Sequence, residues 1–353
     1  LKQKIPCELD PHSVKKILII RLRRLGDNIM TTPAVTALKQ SYPEASLTYI
    51  IEEPFREVIE GNPHVDHMIV LPRKQKTGDL IKSIRKIRKT KYDILIDLFG
   101  GPKAAWITLF AKARLKAGYA VKYKSFIYHI RIPRSPKTGY IHSAESHLNV
   151  VETLGARIHP LPPLFIPEAS PKEKKKIDEF IKDHDLADFR IITMHIGAGN
   201  EFRDWGPENI SELVRLFQQH QEINIILVGA PHEKQRAEQI AEKAGQNIFS
   251  LAGQLSLKEL RELIKRSVLY IGPDSGPMHL AASTQTPIVA YFGPTLPARF
   301  RPWQAKARII EKKMDCRVTC RQRECVHSDF RCIRTLTPAE VYAACREMLT
   351  ERP

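Results

Sequence analysis

The chain has 353 residues, 42% of them hydrophobic, and a formal net charge of +17, which is enough for two domains of ordinary size, each with its own core. No stretch approaches the roughly 20 consecutive apolar residues of a membrane span, and Leu1 to Glu8 hold no apolar run of the kind a secretory signal needs, so a cytoplasmic protein is expected. The charge is uneven: residues 1–165 carry 28 Lys and Arg against 14 Asp and Glu, the remainder 28 against 25.

Short aliphatic runs separated by turns and helical patterns give the pattern of buried parallel strands in βαβ units. In the first half, strands are expected near 17–21, 47–51, 67–71 and 93–97, with helices near 30–41, 79–90 and 143–154. The first strand runs into Arg21-Leu-Arg23-Arg24-Leu-Gly26-Asp27-Asn28, a tight loop before a helix. Ligands of open α/β sheets bind just past strand carboxyl ends, which is where Asp27 falls; Asp27 is also well suited to cap the helix that follows. Lys82, Arg85, Lys86, Arg88 and Lys89 lie opposite Leu80, Ile81, Ile84 and Ile87 at helical spacing. A basic amphipathic helix of this kind can rest on an anionic membrane surface or be an ordinary solvated face. Nucleic acid, the other common partner of a basic protein, has no helix-turn-helix or stacking motif to support it.

Four prolines in His159 to Pro167 preclude helix and favour an extended connector. The expected division is a first domain over 1–160, a linker over 161–170, a second domain over 171–335, and a terminal helix over 336–353 that has room to cross back to the first. Second-domain strands are expected near 190–195, 223–228, 247–250, 268–272 and 288–292. After the first of these comes His195-Ile-Gly197-Ala198-Gly199, whose glycines let the backbone approach an anion, with Arg203 shortly beyond to neutralise diphosphate charge. Trp205 reads as packing. Near the end, Asp274-Ser275-Gly276-Pro277-Met278-His279 turns a strand into a small-residue helix. A helix start offers N–H groups and a positive dipole end, a seat for phosphate. Cys316, Cys320, Cys325 and Cys332 surround His327. Free thiols are the favoured reading of these cysteines, ahead of a zinc or iron–sulfur site and of redox-formed bridges.

The L-G-D loop with its strand, the D-S-G-P-M-H-L-A-A segment, and Phe292-Gly293-Pro294-Thr295 together resemble the ADP-heptose:lipopolysaccharide heptosyltransferase family, over about Lys16 to Val341. The resemblance implies the GT-B fold, two Rossmann-like domains facing each other across a cleft, and inverting transfer of heptose from ADP-heptose to the lipopolysaccharide inner core, with Kdo or heptose as acceptor. By the same resemblance Asp27 is the general base, and Arg203 contacts the diphosphate and assists departure of ADP. Glu233 meets the ribose, while Asp274, Ser275, Gly276 and His279 surround the diphosphate and donor sugar, alongside the His195–Ala198 loop. Arg21, Arg23 and Arg24 flank the base and, by their charge and not by the resemblance, since the family varies at these positions, are candidates to bind the acceptor's anionic groups. No D-x-D motif stands at an expected strand end, and the GT-B class implies chemistry without a metal or other cofactor. The enzyme would work at the cytoplasmic face of the inner membrane as a peripheral protein. Two other readings stay open: the same fold with another nucleotide sugar or acceptor, and a non-catalytic binder of anionic glycolipid or nucleic acid.

Overall fold

The computed structural model describes residues 10–74, 76–120, 125–134 and 139–350; Cys7 and the rest of the N-terminal stretch lie outside them. The chain divides into two compact units at Pro167–Glu168. The first holds β1 (Lys16–Ile20), α1 (Leu25–Ile29), α2 (Thr32–Ser41), β2 (Ser46–Glu52), β3 (His67–Leu71), α3 (Thr77–Arg88), β4 (Lys91–Asp97), α4 (Pro102–Phe110), β5 (Lys112–Tyr119), β6 (Ile130–Ile132) and α5 (Ser143–Glu152). The strand order β3-β2-β1-β4-β5-β6 is parallel at every pairing. Between β1 and β4 the order reverses, and such a switch point opens a crevice at the strand carboxyl ends. Ile20 is in register with Asp97 there, so the loop of Asp27 leaves the sheet at the place where this topology receives ligands.

The second unit repeats the plan. It comprises α6 (Pro171–Asp183), β7 (Arg190–His195), α7 (Pro207–Phe217), β8 (Ile223–Val228), α8 (Lys234–Ala244), β9 (Ile248–Ser250), α9 (Leu257–Arg266), β10 (Leu269–Pro273), α10 (Gly276–Ser283), β11 (Ile288–Phe292), α11 (Pro297–Phe300), β12 (Ala307–Glu311), α12 (Arg331–Arg334) and α13 (Pro338–Thr350). Its parallel sheet runs β12-β11-β10-β7-β8-β9, which puts the switch point between β7 and β10. The motifs of His195 and Asp274 stand at those two strand ends. Two parallel doubly wound sheets, one per unit, are the expected α/β class.

Aliphatic side chains, with no polar demand to meet, make up most of each core. Leu18, Ile20, Ile50, Leu95 and Ile107 cluster on one side of the first sheet, and Ile192, Ile225, Leu227, Ile271 and Val289 belong to the core of the second. The final helix contributes to the second core. Its buried Val341, Ala344, Cys345 and Met348 pack in the core of the second sheet. The local reason is in the sequence: Thr337 and Glu340 reciprocally cap the helix start, with Glu340 Oε2 accepting the Thr337 N–H at 2.8 Å, immediately after Leu336 has entered the core.

Candidate functional site

In the first unit the loop after β1 is held by its own polar groups. Asp27 is the third residue of α1, not its cap, and its carboxylate reaches back to accept the Arg24 N–H at 3.2 Å. Its other oxygen, Oδ1, lies 2.6 Å from Nη2 of Arg21. Arg21 is 5% exposed and its Nη1 donates to the carbonyl of Leu98 at the end of β4. Asn28 braces the same turn, donating to the Arg24 carbonyl at 2.8 Å and accepting from the Tyr49 hydroxyl of β2 at 2.9 Å. Of the three arginines expected to meet an acceptor, only Arg23 and Arg24 are exposed. Arg21 is turned inward and orients Asp27, because a buried guanidinium must find carbonyl and carboxylate partners.

The residues around this loop were not legible from the motif. Asp97 closes β4, is fully buried, and accepts from the N–H groups of Phe99 and Gly100 and from the Tyr128 hydroxyl at 2.9, 2.8 and 2.6 Å. Burial pushes its carboxyl up from the usual range, opposed by those hydrogen bonds and by the Arg21 charge. Tyr119, at the end of β5, meets His147 Nδ1 at 2.5 Å and accepts from Ser146 at 3.2 Å. Burial, then the charges of Arg21 and Arg134, hold His147 well below the ordinary imidazole range and therefore neutral. The guanidinium of Arg134 lies 4.6 Å from the Tyr119 ring centroid, which adds an exposed cation to Arg23 and Arg24. The signal for Asp97 was available, since a carboxylate ends the aliphatic run Ile94–Ile96; that for Tyr119 and His147 was not, because it depends on which elements meet.

In the second unit the strand ends of β7 and β10 bring four of the named side chains together. His195 is buried, its Nδ1 is 3.2 Å from the Ser275 hydroxyl, and burial pushes its imidazole down to about 4, so the ring is neutral at pH 7. Ser275 spends its hydroxyl on His195 and makes no side-chain cap for α10. The start of α10 is thereby left without its usual local acceptor. Arg203 donates from Nη1 to the Asp274 carbonyl at 2.9 Å and lies 3.7 Å from its Oδ2. His279, in the first turns of α10, is 2% exposed.

Gly197 and Glu233 explain each other. A β-carbon at Gly197 would lie 1.6 Å from Glu233 Oε1, so only glycine lets that carboxylate lie across the loop. Glu233 Oε2 accepts the Ala230 N–H at 2.6 Å, which fixes the side chain over the loop's backbone. Beneath it, Arg236 forms a two-bonded pair with Asp204 at 2.9 and 3.0 Å, a brace that crosses from α8 to the segment of Arg203. Trp205 is core: it is 2% exposed, its Nε1 donates to the Leu336 carbonyl at 2.7 Å and its ring is 4.8 Å from that of Tyr291.

Chemically the second unit combines a helix start, a guanidinium and glycine-lined backbone, a set suited to a diphosphate. The first unit offers a carboxylate held in one orientation and surrounded by cations, a set suited to taking a proton from an anionic substrate. Among the described residues no group of three or more His, Cys, Asp and Glu side chains is arranged to hold a metal ion. Cys316, Cys320, Cys325 and Cys332 are free and half-buried, and burial, ahead of neighbouring thiols, pushes the Cys332 thiol up to about 11.

Comparison with known proteins bears on the family and the fold. Lipopolysaccharide heptosyltransferase 3 of Escherichia coli K12 is 26% identical over 300 residues, covering 80% of this chain and 83% of its own length. The crystal structure of a glycosyl transferase family 9 protein from Veillonella parvula superposes with a TM-score of 0.86 at 25% identity, over 98% of this chain and 99% of that one. The E. coli ADP-heptose lps heptosyltransferase II shares the fold, with a TM-score of 0.75 at 22% identity over 95% and 98% of the two chains. The model of glycosyltransferase family 9 (heptosyltransferase) matches residues 80–330, well over half of the sequence, and the chain belongs to that family.

Proposed function

We propose that this protein is an inverting heptosyltransferase that moves heptose from ADP-heptose to the inner core of lipopolysaccharide, on a Kdo or heptose acceptor. The observation that carries the reading is the cluster at the β7 and β10 strand ends, where Arg203, Asp274 and the start of α10, left uncapped by the Ser275 side chain, lie together. The names of its relatives supply the sugar: one is an ADP-heptose lps heptosyltransferase and another a lipopolysaccharide heptosyltransferase.

In this mechanism the Asp27 carboxylate, oriented by Arg21, takes the proton from an acceptor hydroxyl as that oxygen attacks the anomeric carbon. The bond to ADP breaks on the opposite face, so configuration inverts. Arg203 and the N–H groups at the start of α10 stabilise the charge that grows on the departing diphosphate. Asp274 and His279 bound the donor sugar, Glu233 holds the ribose, and the backbone of Gly197 and Ala198 permits close approach. Arg23 and Arg24 hold the acceptor's anionic groups. ADP-heptose is a substrate and no resident cofactor is invoked. The enzyme works at the cytoplasmic face of the inner membrane as a peripheral protein, and nucleic acid is not a partner.

A donor screen of the purified protein, following nucleotide release with ADP-, GDP- and UDP-sugars and defined inner-core acceptors, tests this directly. ADP-heptose is expected to turn over, at an undiminished rate in excess EDTA. Turnover of a different nucleotide sugar alone would reassign the donor, and activity restored only by Mg²⁺ or Mn²⁺ would remove the metal-free mechanism. Arg203→Ala is expected to lower ADP affinity by roughly tenfold or more, the scale of one charge-assisted hydrogen bond. Unchanged affinity by calorimetry would show that Arg203 does not reach the diphosphate.

A further inference from the structure

The first unit exposes an apolar face that neither the fold nor the chemistry above uses. Trp106 is 53% exposed and Phe126 73%, with Leu109 and Phe110 also exposed. Trp106, Leu109 and Phe110 are spaced three and four apart, on one face of α4, and the rings of Trp106 and Phe110 stack with centroids 5.8 Å apart. Phe126 comes from the short turn Ser125–Ile127, which packs against α4, as does α3. That neighbour brings the exposed cations Lys82, Arg85, Lys86, Arg88 and Lys89, together with Ile81 at 44% exposure. Lys112 and Arg114 follow Phe110 directly in the chain and are exposed as well. Soluble surfaces seldom gather large apolar side chains in this way without a partner.

We propose that this α4 face inserts into the interfacial layer of an anionic lipid bilayer, with the basic residues of α3 resting on the headgroups. The proposal deepens, and rests on, the peripheral membrane reading given above. Charge complementarity selects the occupant. Tryptophan and phenylalanine partition to the boundary between headgroups and acyl chains, and lysine and arginine around them gain from the negative surface potential. A second copy using the same face would set two basic rims against each other. Single-stranded nucleic acid would stack on the aromatic rings but has no use for Ile81 and Leu109. No helix among the described residues is long and apolar enough to cross a membrane, so attachment is to one leaflet.

The test uses the full chain with vesicles of phosphatidylcholine, or of phosphatidylcholine with phosphatidylglycerol, carrying brominated acyl chains that quench tryptophan at short range. Of the three tryptophans, Trp205 and Trp303 are buried, so quenching reports Trp106. Expected results are quenching and a blue shift on anionic vesicles only. Replacing Trp106, Leu109 and Phe110 together by Ser should abolish the quenching and weaken vesicle binding roughly tenfold or more. Turnover of a soluble truncated acceptor, read well below the variant's own melting temperature, should stay within error. Replacing Lys82, Arg85, Lys86, Arg88 and Lys89 by Gln should weaken binding while leaving Trp106 quenched at saturating lipid.

Binding to anionic vesicles without quenching, unaffected by the triple Ser variant and fully released by salt, would overturn insertion while leaving peripheral attachment by charge in place. Failure to bind any anionic vesicle would overturn both. Quenching by single-stranded oligonucleotides but not by lipid, or a self-association abolished by the triple Ser variant without lipid quenching, would assign the face to nucleic acid or to a second copy and overturn the proposal.

Discussion

Asp27→Asn is expected to reduce turnover by about 10²- to 10⁴-fold, the range a general base supplies, while ADP affinity stays near the parent value. The amide keeps an oxygen that can accept the Arg24 N–H now bonded to the carboxylate but cannot receive the acceptor's proton. The residues proposed to hold ADP all belong to the second unit, so donor binding has no reason to follow. Stability needs its own measurement. The substitution leaves Arg21, almost fully buried, with the Leu98 carbonyl and without its anionic partner, and breaking such a pair costs about 3–5 kcal/mol where both charges are buried. The Asp27 side chain is 31% exposed, so solvent screening places the cost below that range. Kinetics should therefore be read well below a melting point measured for each variant. Turnover within threefold of the parent, in a folded protein, would remove Asp27 from the role of base.

That experiment depends on a distinction the sequence did not draw. Arg21, Arg23 and Arg24 stand within four residues and read alike as acceptor cations, yet only Arg23 and Arg24 point outward. What separates them is the carbonyl of Leu98, which lies 77 positions away in the chain. The same division runs through the whole fold. Strands made of aliphatic runs, such as Ile17–Ile20 and Ile225–Val228, were visible because burial on both sheet faces favours apolar residues at successive positions. Lys112–Tyr119 and Ala307–Glu311 were not, since they carry charge toward solvent and lie toward or at the sheet margins. Helix α4 escaped for the opposite reason: it is apolar almost throughout, with too little polar contrast to set a period. The anion devices were legible because they are local, built from glycine, a helix start and a nearby arginine. The braces that aim them, Arg203 on Asp274 and Arg236 on Asp204, join elements that only the folded sheet brings together.

Gly197→Ala should expose one such dependence. The backbone at this position is not in the left-handed region that favours glycine, so any cost comes from the side chain added, and its methyl would lie 1.6 Å from Glu233 Oε1. Glu233 must then leave the loop and give up its bond to the Ala230 N–H. Overpacking of this kind costs about 1–3 kcal/mol, which as a loss of ADP affinity is roughly 5- to 150-fold. The atoms met by the new methyl all belong to the Glu233 carboxyl group, so a partner substitution should relieve it. In a Glu233→Ala background, Gly197→Ala is expected to cost almost nothing further, and the two changes should be strongly non-additive in a double-mutant cycle. Calorimetric titration of ADP into the four proteins decides the matter. An equal penalty in both backgrounds would mean that the methyl obstructs the nucleotide itself, and that Gly197 serves the close approach of phosphate and not the seat of Glu233.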